Sequence, residues 1–184
     1  MAEMDNRKKD ISVLSHALYI TFFTLLTVIC AILQCSNIVL FGVLPDVTFG
    51  VICAIGFVAK ERYGGIFGLL GGVLIMSLGT SGISLAPILF TFCGYLCGAL
   101  PNIILRRNFL SYLVFTVMMG AIHIFFTLIH YIMVSQSFEI WGVIGRQMIP
   151  ELFSCTVCMI PAYFTVLGIY TLFKGKDNRR GALR

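Results

Sequence analysis

Apolar residues fill the chain in long runs separated by short polar clusters, and six of these runs have the character of membrane-spanning helices. They cover residues 11–35, 47–59 (led in by 37–44), 64–78, 85–105, 109–134 and 149–173. The first holds 25 residues without a charge, too many for the roughly 7–15-residue apolar core of a secretory leader. Connections are short, and the longest, 135–148, contains Trp141, which suits an interfacial anchor.

The runs are unequal. The 21 residues of 85–105 rise about 31 Å as a helix, enough for a hydrocarbon core of about 30 Å. The 13 residues of 47–59 rise only about 20 Å, and the 15 of 64–78 about 22 Å. The second and third helices are therefore expected to be short, both at the outer side.

Composition agrees with this pattern: 59% of residues are apolar, 11% are charged, and the mean hydropathy is +0.97, far from a soluble domain. The distribution of charge adds an orientation. With the N-terminus in the cytoplasm, twelve lysines and arginines fall on inner segments and only Arg146 on an outer one, a strong positive-inside bias. The expectation is an all-α, polytopic integral membrane protein with six transmembrane helices and both termini cytoplasmic. It forms one transmembrane domain over 1–184, with hydrophilic tails at 1–10 and 174–184. The basic tail KGKDNRRGALR reads as a topology determinant that meets anionic lipid headgroups rather than nucleic acid.

Within GVLPDVTFG, residues 42–50, Asp46 follows Pro45 in an otherwise uncharged stretch. Proline at a helix start and an acid in the first turn satisfy the unpaired N–H groups and the positive end of the helix dipole. Glu151 after Pro150 repeats the arrangement at the sixth run. Counting up from Lys60, Asp46 lies about 21 Å from the inner side, whereas Glu151 lies about 34 Å above Phe173 at the outer interface. A carboxylate at membrane depth faces protein or a wet cavity, so Asp46 is either a structural helix-start carboxylate or a direct contact for a partner or ligand.

The stretch YGGIFGLLGGVLIMSLGTSGIS, 63–84, places Gly64, Gly68 and Gly72 on one helical face, and Gly94 and Gly98 do the same on the next helix. Small residues at this spacing let helix backbones approach, either within the chain or against another protein's span. Gly79 and Gly82 flank a tight outer turn, after which Ser84 and Pro87 restart a helix.

Other chemistry is sparse. All seven cysteines (Cys30, Cys35, Cys53, Cys93, Cys97, Cys155, Cys158) lie in or at the ends of apolar runs, where thiols act as small hydrophobes, and no metal or redox site is expected even at the Cys155–Cys158 spacing. His123 and His130, seven apart on one face of the fifth run, and His16 in the first read as side chains bonding a neighbouring helix rather than metal ligands or a proton relay. Zincin, nucleophile-elbow and phosphate-loop signatures are missing, so neither enzymatic activity nor a cofactor is expected.

The order of a first span, an outer segment ending in Pro-Asp, a short helix, a glycine-rich helix, a glycine turn and a helix with Gly-Tyr-Leu resembles the MreD family of rod shape-determining membrane proteins. The matching stretch is LPDVTFGVICAIGFVAKERYGGIFGLLGGVLIMSLGTSGISLAPILFTFCGYLCG, 44–98, about a third of the chain. The resemblance gives weight to Pro45, Asp46, Gly64, Gly68, Gly72, Gly79, Gly82, Gly94 and Tyr95. It departs at Met76, where such proteins commonly carry an aspartate. It implies a non-enzymatic part of the wall-elongation machinery in the bacterial inner membrane. Its partners would be the bitopic scaffold MreC and, through it, MreB, RodA and a penicillin-binding protein. The glycine faces and a depression left by the two short helices would then dock a partner's transmembrane helix. The chain is also similar, in size and span number, to substrate-binding subunits of energy-coupling-factor vitamin transporters, in which case Asp46 and Asn37 would contact a vitamin in that depression.

Overall fold

A computed structural model describes the backbone of residues 2–36, 46–79, 85–103, 108–135, 142 and 144–181, and the side chains of 17–36, 46–79, 85–101, 108–133, 142, 144–145 and 148–172. Six α-helices account for nearly all of it: α1 (Ala2–Cys35), α2 (Val47–Ala59), α3 (Glu61–Ser77), α4 (Ala86–Ile103), α5 (Phe109–Ser135) and α6 (Ile149–Gly181), the last preceded by a π-helical turn at Ile144–Met148. Pro45, Gly82, Ser84, Asn37 and Trp141 lie outside the described residues, as do the side chains of His16 and Arg146.

Apolar character all around α2 decides the architecture. Its thirteen residues, VTFGVICAIGFVA, carry no charge, and all but Val47 are buried; a helix without a polar face has to be enclosed by others. The other five helices close a ring around it, in the order α1, α3, α4, α5, α6 and back to α1, and α2 touches each of them. The ring helices turn one side to this axle and the other outward. On α3, Phe67, Gly68, Gly71, Gly72 and Ile75 are buried, whereas Ile66, Leu69, Val73 and Met76 are exposed. An outer surface this apolar suits lipid rather than water.

Three helical segments are long and apolar enough to cross a membrane: Ala17–Cys35, Phe109–Met133 and Ile149–Leu172. Val47–Ala59 and Ala86–Pro101 are apolar but shorter. Threonine and serine hydroxyls on these helices mostly donate to the carbonyl four residues back, as Thr27 does to Phe23 (2.8 Å) and Thr116 to Tyr112. That bond satisfies a hydroxyl without water.

The connection between α2 and α3 is a single residue. Lys60 adopts φ 91° and ψ 168°, a region held almost entirely by glycine. Its N–H caps α2 by donating to the Gly56 carbonyl (3.1 Å), and its own carbonyl accepts from Gly64 N–H (3.2 Å) to begin α3. This linkage starts α3 at Glu61, three residues before the glycine run. At the far end, Leu78 and Gly79 stop α3 as expected of a glycine turn: Gly79 takes φ +70° and its N–H donates to the Met76 carbonyl (3.2 Å).

Glycines settle how α3 meets α4. A Cβ added to Gly64 would strike the Gly94 carbonyl, one on Gly68 the Phe90 carbonyl, and one on Gly72 the Cα of Pro87. A Cβ added to Gly98 would likewise strike the backbone of Glu61. The face of Gly64, Gly68 and Gly72 is thus filled by α4 of the same chain. Of the two uses open to this face in the sequence, packing within the chain is the one the backbone contacts fit.

Candidate functional site

At the start of α2, Asp46 is buried, with 8% of its surface exposed. Its carboxylate does not cap its own helix, because both ends of the residue are drawn to other helices. The backbone N–H donates to Cys155 Sγ on α6 (3.2 Å), and Oδ2 lies 3.7 Å from Nε2 of His123 on α5. Oδ1 is enclosed and has no hydrogen-bond partner among the described residues, and neither do the buried Ser154 Oγ on α6 and Thr48 Oγ1 on α2. One residue past Val47, the N–H of Thr48 reaches Oε1 of Gln34 on α1 at 3.4 Å.

His123 is held by two aromatic rings. Phe49 of α2 lies 5.1 Å from it between centroids, and Phe90 of α4 lies 5.5 Å away; these two phenylalanines also meet edge to face at 5.5 Å. The imidazole therefore joins three helices, α2, α4 and α5, and the Asp46 N–H adds α6. Helix arithmetic is consistent: Asp46 stands 14 residues above Lys60, and His123 14 residues above Phe109, about 21 Å in each case.

The depth order of the two acids follows from the same contact. Asp46 is level with Cys155, six residues inside the start of α6 at Ile149, which is about 9 Å along the axis. Glu151 stands about one turn above it, half-buried, and near enough for the two carboxyl groups to interact. So α2 does begin recessed relative to α6. His123 of α5 and Cys155 of α6 stand beside Asp46; the depression expected above it falls at residues 37–45, outside the described residues.

The remaining sequence-derived positions divide cleanly. Gly64, Gly68, Gly72 and Gly94 belong to the α3–α4 seam described above, and Gly79 to the turn. Tyr95 is 48% exposed, on the outer face of α4 beside Gly65. Met76 is also outward, at 49%. Gly68 backs onto Phe90, one of the rings beside His123, and Pro45 and Gly82 fall outside the described residues. His130 is half-buried two turns farther along α5. All seven cysteines are free thiols, and no cluster of metal-ligating side chains occurs among the described residues.

Sequence reasoning placed Asp46 correctly but overlooked His123 as its partner. The available signal was spacing: Asp46 lies 14 residues from Lys60, and His123 lies 15 from the polar Asn108. Compared with protein families, curated proteins and solved structures, the chain matches none.

Proposed function

We propose that this chain is a non-enzymatic, multi-pass scaffold of the bacterial inner membrane, with six spans and both termini in the cytoplasm. On this reading it serves the machinery of lateral wall growth, associating with an MreC-like bitopic protein and through it with MreB, RodA and a penicillin-binding protein. The observation that carries the proposal is the coincidence of two boundaries. The 44–98 stretch that resembles the MreD family covers α2, α3 and most of α4, and Gly64, Gly68, Gly72 and Gly94 each lie at a backbone-to-backbone approach within that unit. A resemblance borne by glycines fits a protein that works through its shape rather than through reactive side chains.

The vitamin-transporter reading has less support, because the similarity to such subunits lies in size and span number rather than in a matching stretch of sequence. The orientation rests on the bias of twelve inner basic residues to one, and an even number of spans returns the C-terminus to the side of the N-terminus.

Affinity capture of the tagged full-length chain from crosslinked native membranes tests the proposal. Recovery of a single-span protein with a coiled coil, together with wall synthases, is the expected result. Recovery of an ATPase module, or of a bound vitamin, would overturn it in favour of transport.

A further inference from the structure

A carboxylate drawn out of water needs a balancing charge or a full set of hydrogen-bond donors, and two carboxyl groups approach one another where α2 begins. The Asp46 side chain is 10% exposed, with Oδ1 unpartnered among the described residues and Oδ2 beside the His123 imidazole. Glu151 on α6 is half-buried and within electrostatic reach of Asp46. The Cys155 thiol, which accepts the Asp46 N–H, is within reach of both carboxyl groups.

Helix geometry puts the α6 groups on one face. At about 100° per residue, Glu151 falls between Ser154 and Cys155 around the helix, and Cys155 marks the side that meets the start of α2. Ser154 is fully buried, and its Oγ also has no hydrogen-bond partner among the described residues. Thr48 stands about 200° around α2 from Asp46, where its N–H turns to Gln34 of α1, and it belongs to a different contact. Two carboxyl groups and a hydroxyl thus gather where α2 meets α6, and Asp46 Oδ1 and Ser154 Oγ are enclosed there without a partner. The described lysine and arginine side chains, Lys60 and Arg62, lie at the opposite end of α2. His123 faces Oδ2 and leaves Oδ1 open.

The donors select the ligand. They are hard oxygens, which suit a hard cation, and two ionised carboxylates match the charge of a divalent one. No three histidine, cysteine, aspartate or glutamate side chains gather to hold a metal among the described residues, so water has to supply part of the shell. Calcium accepts about six to eight oxygens in irregular geometry, water among them, whereas magnesium demands a near-ideal octahedron. Two side chains reaching in from different helices suit the former.

We propose that Asp46 and Glu151 form a calcium-binding site between the start of α2 and the first turn of α6, with water completing the shell of the ion. Bound there, the ion ties the two helices together and relieves the repulsion between the carboxylates. This inference stands apart from the wall-growth reading and holds equally for a transporter subunit.

Equilibrium binding of radiolabelled calcium to the purified full-length protein tests the site, in an uncharged detergent at constant ionic strength and about pH 8, where free carboxyl groups are ionised. One ion per chain should bind saturably, with a dissociation constant of about 1 mM or tighter. Asp46→Asn and Glu151→Gln should each weaken binding about tenfold or more, and Glu61→Gln, at the far end of α2, should leave it unchanged. Absence of saturable binding up to about 10 mM calcium, binding unaltered by Asp46→Asn or by Glu151→Gln, or binding lost in folded Glu61→Gln protein would each overturn the proposal. Should Asp46→Asn fail to elute as a single folded species, Glu151→Gln, at its half-buried position, decides alone.

Discussion

Gly64 of α3 and the carbonyl of Gly94 on α4 lie so close that no Cβ fits between them, and Gly56 of α2 closes the same contact from the third side. Three helices thereby meet backbone to backbone at one point. Lipid offers no hydrophobic drive for helices to associate, so close van der Waals contact of this kind has to supply the attraction. The expected consequence is that Gly64→Ala or Gly94→Ala destabilises the folded protein by about 2 kcal/mol or more. Gly168→Ala, where a Cβ meets open space, should be neutral. Thermal unfolding and size-exclusion profiles in detergent distinguish the two cases. Equal tolerance at all three positions would contradict the seam.

Lys60 provides a prediction of the opposite sign. Its φ of 91° is imposed by a one-residue passage from α2 to α3, and such strain is worth on the order of 1–3 kcal/mol for a residue with a side chain. Lys60→Gly should raise stability by about 1 kcal/mol, the relief being partly offset by the greater freedom of glycine in the unfolded chain. An unchanged or lower unfolding midpoint would show that the passage is not strained.

These two sites also show what could be read from the sequence. The bounds of α2, Val47 to Ala59, were legible because Pro45-Asp46 marks its start and Lys60 its end. The glycine stripe was legible because a four-residue spacing fixes a helical face. The start of α3 at Glu61 was not, because nothing in local pattern anticipates a lysine in a glycine conformation. Hydropathy likewise marked where apolar character stops, not where helix stops. So α1 extends back to Ala2 and α6 on to Gly181, into the polar stretches at both ends of the chain. The partnership of Asp46 with His123 was hidden for another reason: it is a contact between helices far apart in the chain, fixed by ring closure around α2.

Tyr112 tests that ring where α5 and α6 meet α2. Its hydroxyl donates to the Met159 carbonyl at 3.1 Å and lies 3.5 Å from the Gly50 carbonyl, and its ring stacks on Tyr163 at 4.7 Å. Tyr112→Phe keeps the stack and removes the donor, so it should lower stability by about 1 kcal/mol. A change of no measurable size would mean the hydroxyl contributes nothing beyond its ring.

Orientation is open to a simple reporter experiment. Fusions at residue 184 and within residues 80–84 should report the cytoplasm and the outer side, respectively, if twelve inner basic residues against one set the topology. The same compartment at both points would contradict six spans.

The most direct test of the scaffold claim is depletion of this protein in a rod-shaped bacterium that encodes it, followed by microscopy and complementation. The account predicts cells that lose their rod shape and round up, and recover with the wild-type gene. Cells that keep their shape but fail to take up a vitamin would contradict it.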